Sequence, residues 1–127
     1  RVLVVDDNRD AADSLGLLLK VLGNKVEVVH NGEDALAVLR SFQPTVCLLD
    51  IGMPGMDGHE VARQIRRQPG FRNVTLIALT GWGQEDDRRL SESAGFDYHL
   101  TKPADIDALQ VLLGSLEKKA DASRTNV

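Results

Sequence analysis

The chain has 127 residues, with 19 acidic and 15 basic side chains and a formal charge of −4, which excludes the basic surplus of a nonspecific DNA or RNA binder. Its length fits one domain. At 43% hydrophobic residues it can remove roughly two-thirds of its unfolded surface from water, so wholesale disorder is excluded too.

The first apolar run, Val2–Val5, is strand-length. Ala11, Leu15, Leu18 and Leu22 then step by four, three and four, the spacing of one helix face. Val26–Val29 predicts a second strand, interrupted by Glu27, and Ala35, Leu36 and Leu39 a second helix. Val46–Leu49 is apolar throughout and carries Cys47, the single cysteine. That count excludes an internal disulfide framework or multi-cysteine metal site and suits a reducing compartment; inside such a strand the thiol reads as inert core. Gly52, Pro54, Gly55 and Gly58 form a turn-rich stretch in which Asp57 can cap the helix of Val61, Ala62 and Ile65. Leu76–Leu79 predicts a fourth strand. Gln84 to Ala94 predicts a fourth helix anchored only by Leu90 and Ala94, its charged face solvated or offered to a partner. Asp97–Leu100 predicts a fifth strand, and Ile106, Leu109, Leu113 and Leu116 a last helix.

Successive strands end 24, 20, 30 and 21 positions apart, room for one crossover helix each time. Alternating strand and helix predicts βαβ units on a parallel sheet. The first, third and fourth strands suit the buried middle; Glu27 in the second and Asp97, Tyr98 and His99 in the fifth suit the edges. Right-handed crossovers then favour the order 2-1-3-4-5, a doubly wound, flavodoxin-like (βα)5 three-layer sandwich. The domain is expected over 1–117, with 118–127 a polar tail or linker. No apolar run reaches the ~18 residues of a membrane span, and no secretory signal pattern is present. The chain opens at Arg1, already inside an apolar run, as a piece of a longer protein would.

Ligands of open parallel sheets bind beyond the carboxyl ends of the strands, at the topological switch point. Asp6 and Asp7 follow the first strand, Asp50 the third, Thr80 ends the fourth, and Lys102 lies just past the fifth. Three carboxylates on one rim repel one another unless cations compensate. Lys102 supplies one charge; Mg²⁺, a hard oxygen-seeking cation, would supply more and could draw in a phosphate. The central carboxylate, Asp50, is best placed as a nucleophile toward phosphorus. Each piece also has an ordinary reading. Asp6, Asp7 and Asn8 can cap the first helix, Asp50 can open a turn, Thr80 can end a strand, and Lys102–Pro103 can be plain loop.

The segments VVDDN at 4–8, LLDIGMPGMDG at 48–58, ALTG at 78–81 and HLTKP at 99–103 resemble the receiver domain of two-component response regulators, over residues 1 to about 117. That resemblance implies that Asp50 accepts a phosphoryl group from a phosphohistidine on a histidine kinase or histidine phosphotransfer domain. Asp6, Asp7, Asp50 and the Gly52 carbonyl would bind Mg²⁺, Lys102 would contact the phosphoryl oxygens, beside a cis bond to Pro103, and Thr80 would turn in to hydrogen-bond them. Thr80 and His99 would form the switch, His99 standing where the family has an aromatic residue; Gly52 and Trp82 would occupy positions that tune phosphoryl lifetime. A downstream partner would dock on the face of the fourth helix, fifth strand and fifth helix, with neither nucleic acid nor membrane bound by the domain itself. Such a domain catalyses its own phosphorylation and dephosphorylation without being a turnover enzyme. The wording DIGMPGMDGHEVA, ALTGWGQEDDRR and AGFDYHLTKP is most similar to receivers of bacterial hybrid sensor histidine kinases, which implies a cytoplasmic domain and allows a membrane-associated parent.

Two other functions compete. An aspartyl phosphatase of the haloacid dehalogenase type wants a second acid two residues after its nucleophile, where this chain has Gly52. A nucleotide or flavin binder wants a P-loop or glycine fingerprint, and none follows the first strand. His30 and His59 lack metal-ligand spacing, and Trp82 reads as a loop residue near Thr80. Arg63, Arg66, Arg67 and Arg72 read as solvated surface.

Overall fold

The computed structural model describes residues 1–53, 55–80, 94–101 and 106–125, with side chains of the last helix described to Leu116. In chain order its elements are β1 (Val2–Val5), α1 (Arg9–Val21), β2 (Val26–Val29), α2 (Gly32–Phe42), β3 (Val46–Asp50), α3 (Gly58–Arg67), β4 (Thr75–Thr80), β5 (Tyr98–Thr101) and a C-terminal helix (Ile106–Thr125). The strands form one sheet of order β2-β1-β3-β4-β5 with every pairing parallel. This is the doubly wound flavodoxin-like arrangement expected from strand composition.

Period-two alternation divides the core between two helical layers. Val2, Val4, Val46, Leu48, Ile77 and Leu79 pack with Ala12 and Leu19 of α1 and Leu109 of the C-terminal helix. Leu3, Val5, Cys47, Leu49, Leu76 and Ala78 pack with Ala35 and Leu39 of α2 and Val61, Ala62 and Ile65 of α3. β1 and β3 are buried along their whole length, as strands covered on both faces must be. The edges carry the polar positions: Glu27 on β2 and Tyr98 on β5 are exposed. The C-terminal helix runs through Thr125, past the composition break at 117; Lys118 to Thr125 contains neither Gly nor Pro to stop it.

Each of the first three helices begins on a side-chain cap. Asn8 accepts the Ala11 N–H at 3.1 Å, Asn31 the Asp34 N–H at 2.7 Å and Asp57 the Glu60 N–H at 3.0 Å. Asp57 thus caps α3 as its position predicts. In the first loop the cap on the helix N–H groups is Asn8, Asp6 accepts the N–H of that cap residue, and Asp7 takes no part.

Arg66 departs from the solvated surface expected of the basic cluster. Its guanidinium donates to the Gly95 carbonyl at 2.8 and 3.1 Å, to the Arg72 carbonyl at 2.9 Å and to the Val74 carbonyl. It also pairs with Asp97 Oδ2 at 2.9 Å. The same Asp97 oxygen accepts the Leu76 N–H at 2.9 Å. Asp97 is therefore a clamp between α3 and β4, and β5 starts one residue later than the apolar run suggested. Gly95 has φ of +104°, and a Cβ there would lie 3.0 Å from Arg66 Cγ, so glycine meets both the backbone twist and the close approach.

Candidate functional site

The site is built from the ends of adjacent strands. β1 and β3 pair with Val5 opposite Leu49, so one further step sets Asp6 beside Asp50. By alternation both continue the rows that face α1, Val2–Val4 and Val46–Leu48, and both side chains leave the sheet on that side. Asp7 follows directly. Carboxylate oxygens of Asp6, Asp7 and Asp50 all lie within 4.8 Å of one another. Asp6 is 3% exposed and Asp50 6%, whereas Asp7 lies open to solvent.

The two buried acids are held by short local bonds. Asp6 Oδ1 accepts the Asn8 N–H at 3.0 Å, and Asp50 Oδ1 accepts the Gly52 N–H at 2.9 Å. Both are bonds of an acid to the N–H two residues on, which fix a carboxyl group at a chain reversal. Asp7 makes no hydrogen bond or ion pair among the described residues. A helix-start explanation covers Asn8 and does not cover Asp7. Glycine supplies the remaining geometry: α3 begins directly against β3, and the Gly58 position has room for no Cβ beside the Asp50 backbone.

The donor set fits a small hard cation. Two oxygens bound to one Mg²⁺ at about 2.1 Å are themselves roughly 3–4 Å apart, and one oxygen from each of these carboxylates lies within 4.8 Å of the others. All the donors are oxygens, the class Mg²⁺ prefers over nitrogen and sulfur. The open side at Asp7 leaves space for waters and an entering anion.

Thr80, half-buried at the end of β4, lies one step beyond the Asp50–Leu79 register pair. Its hydroxyl donates to the Leu100 carbonyl of β5 at 3.4 Å, so its side chain is turned toward β5. His99 on β5 pairs in register with Ala78. Its ring lies 6.4 Å from that of Phe96, and Phe96 meets His59 edge-on at 6.1 Å. Lys102 and Pro103, Gly81 and Trp82, and the predicted fourth helix except Ala94 lie outside the described residues. The site thus unites Asp6, Asp7, Asp50 and the Gly52 turn, with Thr80 on the neighbouring strand.

Sequence reasoning missed one neighbour of these acids. His30, the residue after β2, directs Nδ1 at the Asp6 carbonyl. Its position beyond a strand end on the same rim was the available signal, but the ring reaches backbone, which no ligand spacing reveals. Cys47 behaves as expected: full burial pushes its thiol up to about 12.

The family model described as "Response regulator receiver domain" matches residues 2–113. An uncharacterized 14.6 kDa protein of Leptolyngbya boryana is 38% identical over 104 residues, covering 82% of this chain and 79% of that one. The response regulator MprA of Mycobacterium avium is 34% identical, with 94% of this chain and 51% of that protein covered. The chain therefore spans about half the length of MprA, as it does of other curated relatives. Among solved structures, the chemotaxis protein CheY4 of Vibrio cholerae aligns with a TM-score of 0.84 at 26% identity, over 90% of this chain and 95% of that one.

Proposed function

The chain belongs to the response regulator receiver domain family of two-component signalling, and from that premise we propose that it accepts a phosphoryl group on Asp50 from a phosphohistidine of a histidine kinase or histidine phosphotransfer domain. One Asp50 Oδ forms the new O–P bond while the N–P bond breaks and its electron pair returns to the donor imidazole. The single observation supporting this reading is the gathering of Asp6, Asp7 and Asp50 within 4.8 Å, with Asp50 at the end of the central strand β3.

Mg²⁺ would be held by Asp6, Asp7, Asp50 and the Gly52 carbonyl, and when bound it offsets the charge of the carboxylates and of the incoming phosphoryl oxygens. Asp50 is the nucleophile, held by the Gly52 N–H and shielded by burial. Lys102 contacts the phosphoryl oxygens. Thr80 moves its hydroxyl from the Leu100 carbonyl to the phosphoryl group, and His99 on the adjoining strand follows. The signal leaves through the face of the segment 84–94, β5 and the C-terminal helix, toward a protein partner rather than nucleic acid or membrane. The domain proper is assigned to residues 1–117, with the polar stretch 118–127 a tail or linker.

Wording of the motifs favours a hybrid sensor histidine kinase as parent, with this domain in the cytoplasm. The similarity to MprA, named a response regulator, favours a regulator with a separate output region as the second architecture. Among the described residues no helix is long and apolar enough to cross a membrane.

Incubation with acetyl phosphate and Mg²⁺ should give incorporation of one phosphoryl group per chain that base and hydroxylamine release, as from an acyl phosphate, and Asp50→Asn should abolish it. Undiminished labelling of Asp50→Asn would remove Asp50 from the role.

A further inference from the structure

His30 is not used by the phosphoryl chemistry, yet among the described residues its ring reaches the backbone of the acid site. Three bonds among the described residues help to fix Asp6. Its N–H donates to the Val29 carbonyl at 3.2 Å, its Oδ1 accepts the Asn8 N–H at 3.0 Å, and its own carbonyl faces His30 Nδ1 at 3.1 Å. A carbonyl oxygen can only accept, so Nδ1 carries the proton and donates. The other ring nitrogen, Nε2, lies 3.6 Å from Asp13 Oδ1 on α1. One imidazole therefore links the end of β1 to the end of β2, while the Asp13 carboxylate of α1 stands beyond hydrogen-bond distance of Nε2. The first two bonds belong to the β1–β2 ladder and the start of α1. The third exists only because residue 30 is histidine.

We propose that His30 is a positioning residue for the cation site: its Nδ1–H holds the Asp6 peptide, and through it the Asp6 and Asp7 carboxylates, in the arrangement that Mg²⁺ requires. The inference rests on the proposed reading of these acids as the Mg²⁺ ligands. Its physical basis is that ligands must already stand near bonding geometry, since each freedom lost on binding weakens affinity. Asp7 has no hydrogen-bond or ion-pair partner among the described residues to hold it, so its placement depends on the backbone on its N-terminal side.

The experiment is isothermal titration calorimetry of the whole chain with MgCl2 for wild type, His30→Ala and His30→Asn, with circular dichroism confirming that each is folded at the titration temperature. Asparagine carries an amide nitrogen at the place of Nδ1 and can restore the bond to the Asp6 carbonyl without reaching Asp13. His30→Ala should weaken Mg²⁺ binding about tenfold, the lower end of what loss of a ligand-orienting partner costs, and His30→Asn should recover most of that. The Mg²⁺ concentration for half-maximal labelling by acetyl phosphate should rise in parallel in His30→Ala, with the rate at saturating Mg²⁺ unchanged. If His30→Ala is less stable but binds Mg²⁺ like wild type, or if His30→Asn binds as poorly as His30→Ala, the positioning role is overturned. Failure of the wild type to bind Mg²⁺ would overturn the reading of the site itself, and the positioning role with it.

Discussion

Gly58 stands so close to Asp50 that a Cβ on it would lie 2.6 Å from the Asp50 carbonyl oxygen, and 2.8 Å from the Cα of Ile51. Both obstructing atoms are backbone, so neither can rotate away. The first turn of α3 is thereby pressed against the peptide that carries the proposed phosphoacceptor, which makes the helix start a wall of the site. Gly58→Ala should therefore cost about 1–3 kcal/mol of stability, as overpacking against rigid neighbours does, and displace Asp50. Urea unfolding measures the first effect and Mg²⁺ titration the second. Unchanged stability together with unchanged Mg²⁺ binding would show that the loop yields freely.

Asn8 and Asp7 are neighbours with separable duties. Asn8→Ala removes the cap on α1 and should lower stability by about 1 kcal/mol. Asp7→Asn removes a charge with no partner among the described residues, so stability should hold or rise as repulsion within the cluster falls, while Mg²⁺ affinity drops at least tenfold. Thermal melts and calorimetric titration of the two variants should show opposite patterns. A large stability loss in Asp7→Asn would return that residue to a role in the helix start.

Arg66 binds carbonyls on both sides of β4, at Arg72 and Val74 before it and Gly95 after it, as well as the Asp97 carboxylate. Arg66→Ala should cost about 2–4 kcal/mol, since several half-buried acceptors lose their donor together. Arg66→Lys should recover only part, because a single ammonium cannot span acceptors arranged for a planar fork. Denaturant midpoints of the two variants decide the matter; an alanine variant within about 0.5 kcal/mol of wild type would mean that water replaces the guanidinium.

Cys47 adds a pH dependence at the alkaline end. Its folded thiol is pushed from 9.0 up to about 12 by burial, so between those values the unfolded chain ionises there and the folded one does not. The stability associated with the protonated thiol is complete below pH 9 and is lost as pH rises toward 12. Between pH 9 and 11 wild type should lose a few kcal/mol more stability than Cys47→Ala, and the native thiol should ignore Ellman's reagent until the chain unfolds. Prompt reaction at neutral pH would contradict the burial.

The order of the sheet, the two-sided burial of β1 and β3, and the placement of Asp6, Asp7, Asp50 and Thr80 on one rim were all legible in the chain. Each follows from local regularities: an alternation of two, a helical stripe of three and four, and acids placed where apolar runs stop. What lay beyond such reading were contacts between residues far apart in sequence. Arg66 looks like one of four surface arginines until folding brings Gly95 and Asp97, some 30 positions away, under its guanidinium. His30 has no ligand spacing because what it meets is the Asp6 peptide, 24 positions back. Even the acidic cluster, which made so little mark on a net charge of −4, takes its meaning from three carboxylates drawn together at the ends of β1 and β3. Patterning along the chain determines which faces are buried, because hydrophobic burial is nondirectional and periodic. Directional hydrogen bonds, by contrast, are decided only when packing has fixed which donor stands before which acceptor.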